Sequence, residues 1–169
     1  IEKNANIRAR AYKKDFLPSK PMSASYIFME EERESCGGFQ LPVVSITVDP
    51  IYFFDDSLGI YVTGKNGIKG EKDCVSSKAN YNQEWKRPIS FEYIVDGQRV
   101  IVQELEANIE GGCSRIEKVK SLSMKASSKT GDKDIDYHFF KSKPDMKHQT
   151  IYLRNGGTAY EKVRFRDGL

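Results

Sequence analysis

Long hydrophobic runs are missing from this sequence. Its best apolar stretches, such as Leu41 to Val44 and Val100 to Val102, fall far short of the roughly 18 consecutive residues that a membrane span needs. The chain therefore reads as soluble, with no membrane span. Histidine is scarce, at two residues, and the three cysteines, Cys36, Cys74 and Cys113, lie far apart. A structural zinc draws four ligands from close-set pairs, so no metal site is expected. Cys113, between Gly112 and Ser114, has no histidine near it in sequence to activate a nucleophile, and it reads as a small half-buried thiol. Also missing are a Walker phosphate loop, a Gly-x-Gly-x-x-Gly fingerprint, a Gly-x-Ser-x-Gly elbow and a His-Glu-x-x-His helix. No internal repeat or low-complexity tract is present.

What is there suits one compact domain, or one domain plus a fragment of a neighbour: 169 residues, 38% hydrophobic and 30% charged. A chain of this size buries roughly 70% of the surface it exposes when unfolded, so it needs no staple merely to hold together. It opens on Ile1 rather than Met and reads as a piece of something longer. The net charge of +3 hides an asymmetry. Residues 1–114 hold 14 Lys and Arg against 17 Asp and Glu, net −3; residues 115–169 hold 13 against 7, net +6. A basic final third can mark a phosphate or nucleic-acid footprint. The lysines from Lys125 to Lys133 sit among Ser, Thr and Gly without interleaved aromatics, so no nucleic-acid partner is expected.

The periodicity is that of a predominantly β chain of α+β class. Ile7, Ala9 and Ala11 alternate with polar or aromatic neighbours, Ser25 to Met29 alternates again, and Leu17-Pro18-Ser19-Lys20-Pro21 reads as the turn between them. The acidic run Glu30 to Glu34, followed by Gly37-Gly38, is the best linker. Leu41 to Val48 is apolar on both faces and reads as a central strand buried on two sides. Ile51 to Phe54 suits one helical turn, Asp55 to Gly59 a turn, and residues 64–83 a long mobile loop. Residues 89–109 form the clearest hairpin, with alternation on both sides of Asp96-Gly97 and a bend expected near Gln103.

A further strand spans about Val119 to Ala126. Leu122, Met124 and Ala126 share one face, and Lys120 lies on the same parity, with a stem long enough to snorkel its ammonium to the sheet edge. Thr150 to Arg154 is another strand candidate, and Ala159 to Leu169 has helical spacing.

Six phrases in order carry a resemblance. They are Leu41-Pro42-Val43-Val44-Ser45-Ile46; Asp49-Pro50 with Phe54-Asp55-Asp56 and Gly59-Ile60-Tyr61-Val62; Trp85-Lys86-Arg87-Pro88 leading to Phe91-Glu92; Gly111-Gly112-Cys113-Ser114-Arg115 with Lys120-Ser121-Leu122; Leu153-Arg154-Asn155-Gly156-Gly157; and Phe165-Arg166-Asp167. Over residues 39–169 they resemble the amino-terminal portion of the CotH-type spore-coat kinase family. Ile7-Arg8-Ala9-Arg10-Ala11 through Pro18-Ser19 to Tyr26-Ile27-Phe28 resembles the last two strands of the immunoglobulin-like carboxy-terminal module of chitobiase-type surface proteins. The implied organisation is 1–31 immunoglobulin-like strands, 32–38 linker, and 39–169 a truncated CotH-like amino-terminal region.

The resemblance implies an antiparallel sheet like the amino-terminal lobe of an atypical kinase, which uses ATP and Mg2+ to phosphorylate protein hydroxyls. Ser114 and Arg115 match the family's Ser-Arg pair and Lys120 the lysine of its Lys-Ser-Leu phrase, so these three are the implied nucleotide-binding residues. Where the family often carries proline before that lysine, this chain has Ile116-Glu117-Lys118-Val119. The family's catalytic and metal-binding aspartates lie beyond the Arg-Asp phrase, so no catalytic residue is expected in this chain. Asp55-Asp56 and Asp132, Asp134 and Asp136 read as solvated acceptors. An exported or cell-surface bacterial location follows by analogy, with a protein substrate or surface ligand as partner. The alternative is a non-catalytic surface module for carbohydrate or protein, for which Tyr81 and Trp85 would be the exposed aromatics.

Overall fold

The computed structural model describes residues 3–27, 41–70, 74, 77–140, 142–144 and 147–156. The expected linker at 32–38, Cys36 and the helical spacing after Ala159 lie outside the described residues. Strands dominate, all in antiparallel pairs. Two compact units share the chain: Ile1–Thr47 with Ser90–Glu104, and Val48–Ile89 with Leu105–Leu169.

The first unit begins with β1 (Ala5–Ala9) and β2 (Met22–Tyr26), paired antiparallel with Ile7 opposite Ala24. The loop between them is clasped by Ser19, whose Oγ accepts from the Ala11 N–H at 2.9 Å while its carbonyl accepts from Arg10 Nε at 2.8 Å. The alternation is real, but its apolar side faces water: Ile7, Met22 and Tyr26 are exposed, and Ser23 and Ser25 are buried. The inward face is polar because it meets a carboxylate. Ser25 Oγ donates to Glu92 Oε1 at 3.0 Å and lies 2.7 Å from Ser45 Oγ. Glu92 is 1% exposed, and its other oxygen faces Arg99 at 3.9 Å.

β3 (Val43–Thr47) pairs with β4 (Arg87–Val95), Ser45 opposite Glu92 and Thr47 opposite Ser90. β4 leads through Asp96 (φ 49°) and Gly97 (φ 74°) into β5 (Gln98–Glu110). Two successive positive φ values match the twist of the flanking strands, which is why Asp-Gly makes this turn. The expected hairpin is therefore present. In β5 one parity holds throughout: Ile101, Leu105, Ala107 and Ile109 are buried, while Val100 and Val102 are exposed. The second apolar parity near Gln103 is thus an outward-facing pair of valines within one continuous strand.

The full sheet runs β3-β4-β5-β6-β9, where β6 is Ser121–Lys125 and β9 is Thr150–Leu153; β7 (Ile135–Asp136) and β8 (Lys147–His148) form a small separate pair. This order corrects the reading of Leu41 to Val48. Among the described residues β3 is an edge strand with β4 as its single sheet neighbour, and Val44 and Leu41 are exposed. Besides β4 at Ile89 to Glu92, the strand buried on both faces is β6, from Ser121 to Met124. Its serines disguise it, because hydrophobic pattern cannot report a buried hydroxyl that has a partner.

In the second unit β6 lies between β5 and β9, with Ala107 and Ile151 both opposite Met124, and Ile109 and Leu153 both opposite Leu122. Burying side chains of this size contributes roughly 1.5–3 kcal/mol each. The expected helical turn is α1 (Pro50–Phe54), started by Asp49, whose Oδ1 accepts from the Ile51 N–H at 3.2 Å. Proline suits the first helical position because its missing N–H would be unpaired there. Asp55 Oδ1 then accepts from the Ser57 and Leu58 N–H groups at 2.8 and 2.9 Å and turns the chain.

The expected long loop over 64–83 is shorter than its composition suggests. Ser77, Ala79, Asn80 and Tyr81 are buried, and Asn80–Asn82 forms a 3-10 turn. Asn80 anchors it by donating to the carbonyls of Asp56 and Gly59, both at 3.0 Å.

Candidate functional site

Ser114, Arg115 and Lys120 come together at a second 3-10 turn, Cys113–Ile116, and the start of β6. The last carbonyls of such a turn have no partner within it. Lys120 supplies one: its Nζ donates to the Arg115 carbonyl at 2.5 Å and the Glu117 carbonyl at 2.8 Å. The ammonium lies 4.5 Å from the Tyr81 ring centroid and 5.6 Å from that of Tyr61, whose hydroxyl accepts from the Lys120 backbone N–H at 2.8 Å. Lys120 is 8% exposed. The expected snorkel is therefore corrected: the stem folds back over the turn, where two carbonyls and two rings replace water. Burial lowers its pKa from the ordinary 10.5, partly offset by the Glu117 charge.

Arg115 commits its fork to two backbone carbonyls and a carboxylate. Nε donates to the Gly111 carbonyl at 2.6 Å and Nη1 to the Tyr81 carbonyl at 3.5 Å, while Nη2 lies 3.8 Å from Glu84. Ser114 contributes its carbonyl, which accepts from the Glu117 N–H at 3.2 Å and from Asn155 Nδ2 at 3.5 Å. Asn155 also donates to the Val119 carbonyl at 2.8 Å. Arg115 and Asn155 thus hold the turn in which Lys120 is seated.

Lys120, Tyr61, Tyr81 and Ile116 line one part of a cleft of about 730 Å3; Asp56 and the segment Val62 to Gly70, with Lys69 on it, line the rest. Two lysines against one aspartate favour an anionic ligand. Arg115 and Ser114 do not line it. Gly64 is required by close approach as well as by its φ of 71°, since a Cβ there would lie 2.2 Å from the Asn80 side chain.

Two expectations about this region are corrected. Cys113 is not a free thiol: it is disulfide-bonded to Cys74, 39 residues earlier, so it has no nucleophilic sulfur. Tyr81 is not an exposed aromatic; it is 6% exposed, under the Lys120 ammonium. Trp85 is half-buried, with the Arg87 guanidinium 5.0 Å from its ring, and Arg87 itself donates twice to the Leu58 carbonyl, at 2.9 and 2.7 Å. Among the described residues no group of three or more His, Cys, Asp or Glu is placed to hold a metal ion, and no helix is long and apolar enough to cross a membrane.

Reading the sequence missed Tyr61, Lys69 and the cysteine pairing. Gly64 and Gly67 were a signal for a close-packed wall, but three cysteines permit three single pairings, and spacing alone does not choose among them. Compared with known proteins, the chain matches no family model, no curated protein and no solved structure.

Proposed function

We propose that this chain is the amino-terminal part of a CotH-like atypical protein kinase and that its cleft receives the phosphates of ATP. The observation that carries this reading is a buried lysine at the wall of a cleft with a second lysine on the facing segment. Phosphoryl transfer asks the protein mainly for positioned cations and little covalent chemistry. An ammonium has three donors; two hold Lys120 Nζ on the turn carbonyls, and the third remains for an oxyanion. Lys69 adds a point charge. Arg115 and Ser114, the other two residues named by resemblance, act in this reading through the turn that fixes Lys120.

The bound nucleotide would supply the phosphoryl group, and Mg2+ would neutralise its charge. Asp56 is the one carboxylate on the cleft among the described residues, so the complete parent domain would hold the metal with carboxylates from its second lobe. Residues 1–31 would be the end of an immunoglobulin-like module, joined by 32–38. An exported, cell-surface bacterial location is supported by the Cys74–Cys113 disulfide, because such bonds persist in oxidising compartments.

A second reading, a non-catalytic surface module for carbohydrate, is favoured by the Tyr61 and Tyr81 rings beside Asp56 and Thr63 in the same cleft, a lining that suits a sugar ring. Titration separates the two. With ATP and Mg2+ as probe, the nucleotide reading expects saturable binding that Lys69→Ala and Lys120→Met each weaken and Lys125→Ala, on the exposed end of β6, leaves unchanged. No nucleotide binding, together with glycan binding lost in Tyr61→Ala, would move the conclusion to the surface module.

A further inference from the structure

The Cys74–Cys113 disulfide ties the turn that carries Ile116, on one wall of the cleft, to a point in the sequence just past the other. Cys113 opens the 3-10 turn whose later carbonyls hold Lys120, and Cys74 lies four residues beyond Gly70, where the facing wall ends. Beyond Thr63, whose carbonyl accepts from the Asn80 N–H at 2.9 Å, and the close approach of Gly67 to Ala79, that wall is lightly held. The Lys65 backbone N–H donates to the Asp56 carbonyl at 3.0 Å and the Gly67 N–H to that of Gly64 at 3.3 Å. Ile68, Lys69 and Gly70 make no hydrogen bond or ion pair with any described residue. The next anchors among the described residues are at Cys74: the disulfide, and its carbonyl accepting from Asn82 Nδ2 at 3.3 Å. Segments with few such anchors open locally at low free-energy cost.

We infer that this disulfide is a redox control on the cleft, holding the Lys69 wall in its ligand-binding position when oxidised and releasing it when reduced. The inference rests on the nucleotide reading for its ligand. The reductant is a dithiol. One of its thiolates attacks the sulfur of Cys113, which is exposed whereas Cys74 is half-buried. The Sγ–Sγ bond breaks, Cys74 leaves as a thiolate, and a mixed disulfide forms. The second thiolate of the reductant closes its own disulfide and releases Cys113; two protons end on the two cysteine sulfurs, and two electrons have passed to the protein. Lys120 keeps its carbonyl partners, which belong to its own side of the cleft. Lys69 loses its fixed position.

The test uses the full chain in a Cys36→Ser background, so that no third thiol can exchange, and compares the oxidised form, the dithiol-reduced form and Cys74→Ser/Cys113→Ser. Amide hydrogen exchange is read at residues 65–70, with Ala107 and Met124 as a control for the folded sheet, and ATP affinity is measured in parallel. The expected result is faster exchange at 65–70 in the reduced form and the double variant, unchanged exchange at the sheet, and ATP binding weakened roughly 5- to 150-fold, the usual range of coupling between linked sites. Unchanged exchange at 65–70, loss of the sheet's own protection, or equal ATP affinity in both redox forms overturns the inference and leaves the nucleotide reading standing. ATP bound by neither form overturns both.

Discussion

Ser121 and Asn155 hold each other reciprocally. The Ser121 hydroxyl donates to Asn155 Oδ1 at 3.1 Å and accepts from the Asn155 backbone N–H at 3.0 Å, with both residues buried. The remaining donor of the asparagine, Nδ2, reaches the Val119 carbonyl, one residue before Lys120. The pair therefore fixes the entry of β6 from the far side of the cation. Removing the asparagine side chain takes the acceptor from the Ser121 hydroxyl, which still accepts from the residue-155 N–H, and a donor from the Val119 carbonyl; a buried group left unsatisfied costs about 1–3 kcal/mol. Asn155→Ala should lower stability by about that amount in urea denaturation, with an unchanged m-value. A wild-type midpoint would show the pair to be dispensable.

Lys120 gives a pH prediction whose sign follows from its lowered pKa. The folded state disfavours the charged form, so below the folded pKa the burial cost is present in full. As pH rises from the folded pKa toward 10.5, the unfolded chain holds more protons than the folded one, and stability rises. Relative to Lys120→Met, the wild type should gain stability across that alkaline window and show no differential slope near neutrality. Parallel curves for the two proteins across the whole range would mean that the ammonium is not desolvated.

Two glycines with similar backbone angles should respond differently to alanine. At Gly97 (φ 74°) a Cβ meets nothing within 4 Å, so Gly97→Ala carries only the left-handed penalty of about 1–2 kcal/mol. At Gly64 (φ 71°) the new methyl would collide with the Asn80 side chain, which two carbonyls hold in place. Overpacking adds about 1–3 kcal/mol to the same penalty. Thermal melts of the two variants measure the difference, and equal losses would show that Asn80 moves aside freely.

The chain by itself should not transfer phosphate from ATP to protein. Lys120 and Lys69 can neutralise phosphate charge, but among the described residues no carboxylate set is placed both to hold Mg2+ and to take the hydroxyl proton. Incubation with labelled ATP, Mg2+ and a hydroxyl-bearing protein should leave label incorporation at background. Incorporation that Lys120→Met abolishes would place catalytic groups within the chain after all.

Local order was legible without coordinates. The β4–β5 hairpin follows from alternation meeting Asp96-Gly97, and α1 follows from Asp49-Pro50 ahead of an aromatic run, because turn and cap energies act within a few residues of the chain. The parity of Leu122 and Met124 was equally plain. Other features depend on partners far away in sequence. Leu41 to Val48 looks central but lies at an edge, since strand order is set by pairing with β4 some forty residues on. Ser121 and Ser123 look exposed but are buried, because a hydroxyl can be buried wherever a distant group satisfies it. Whether Lys120 snorkels or folds inward is decided by where Tyr61, Tyr81 and the carbonyls of Arg115 and Glu117 fall around it. The pairing of Cys74 with Cys113 was likewise closed by tertiary structure, because a disulfide needs two Cα atoms brought close together, and no local pattern carries that distance.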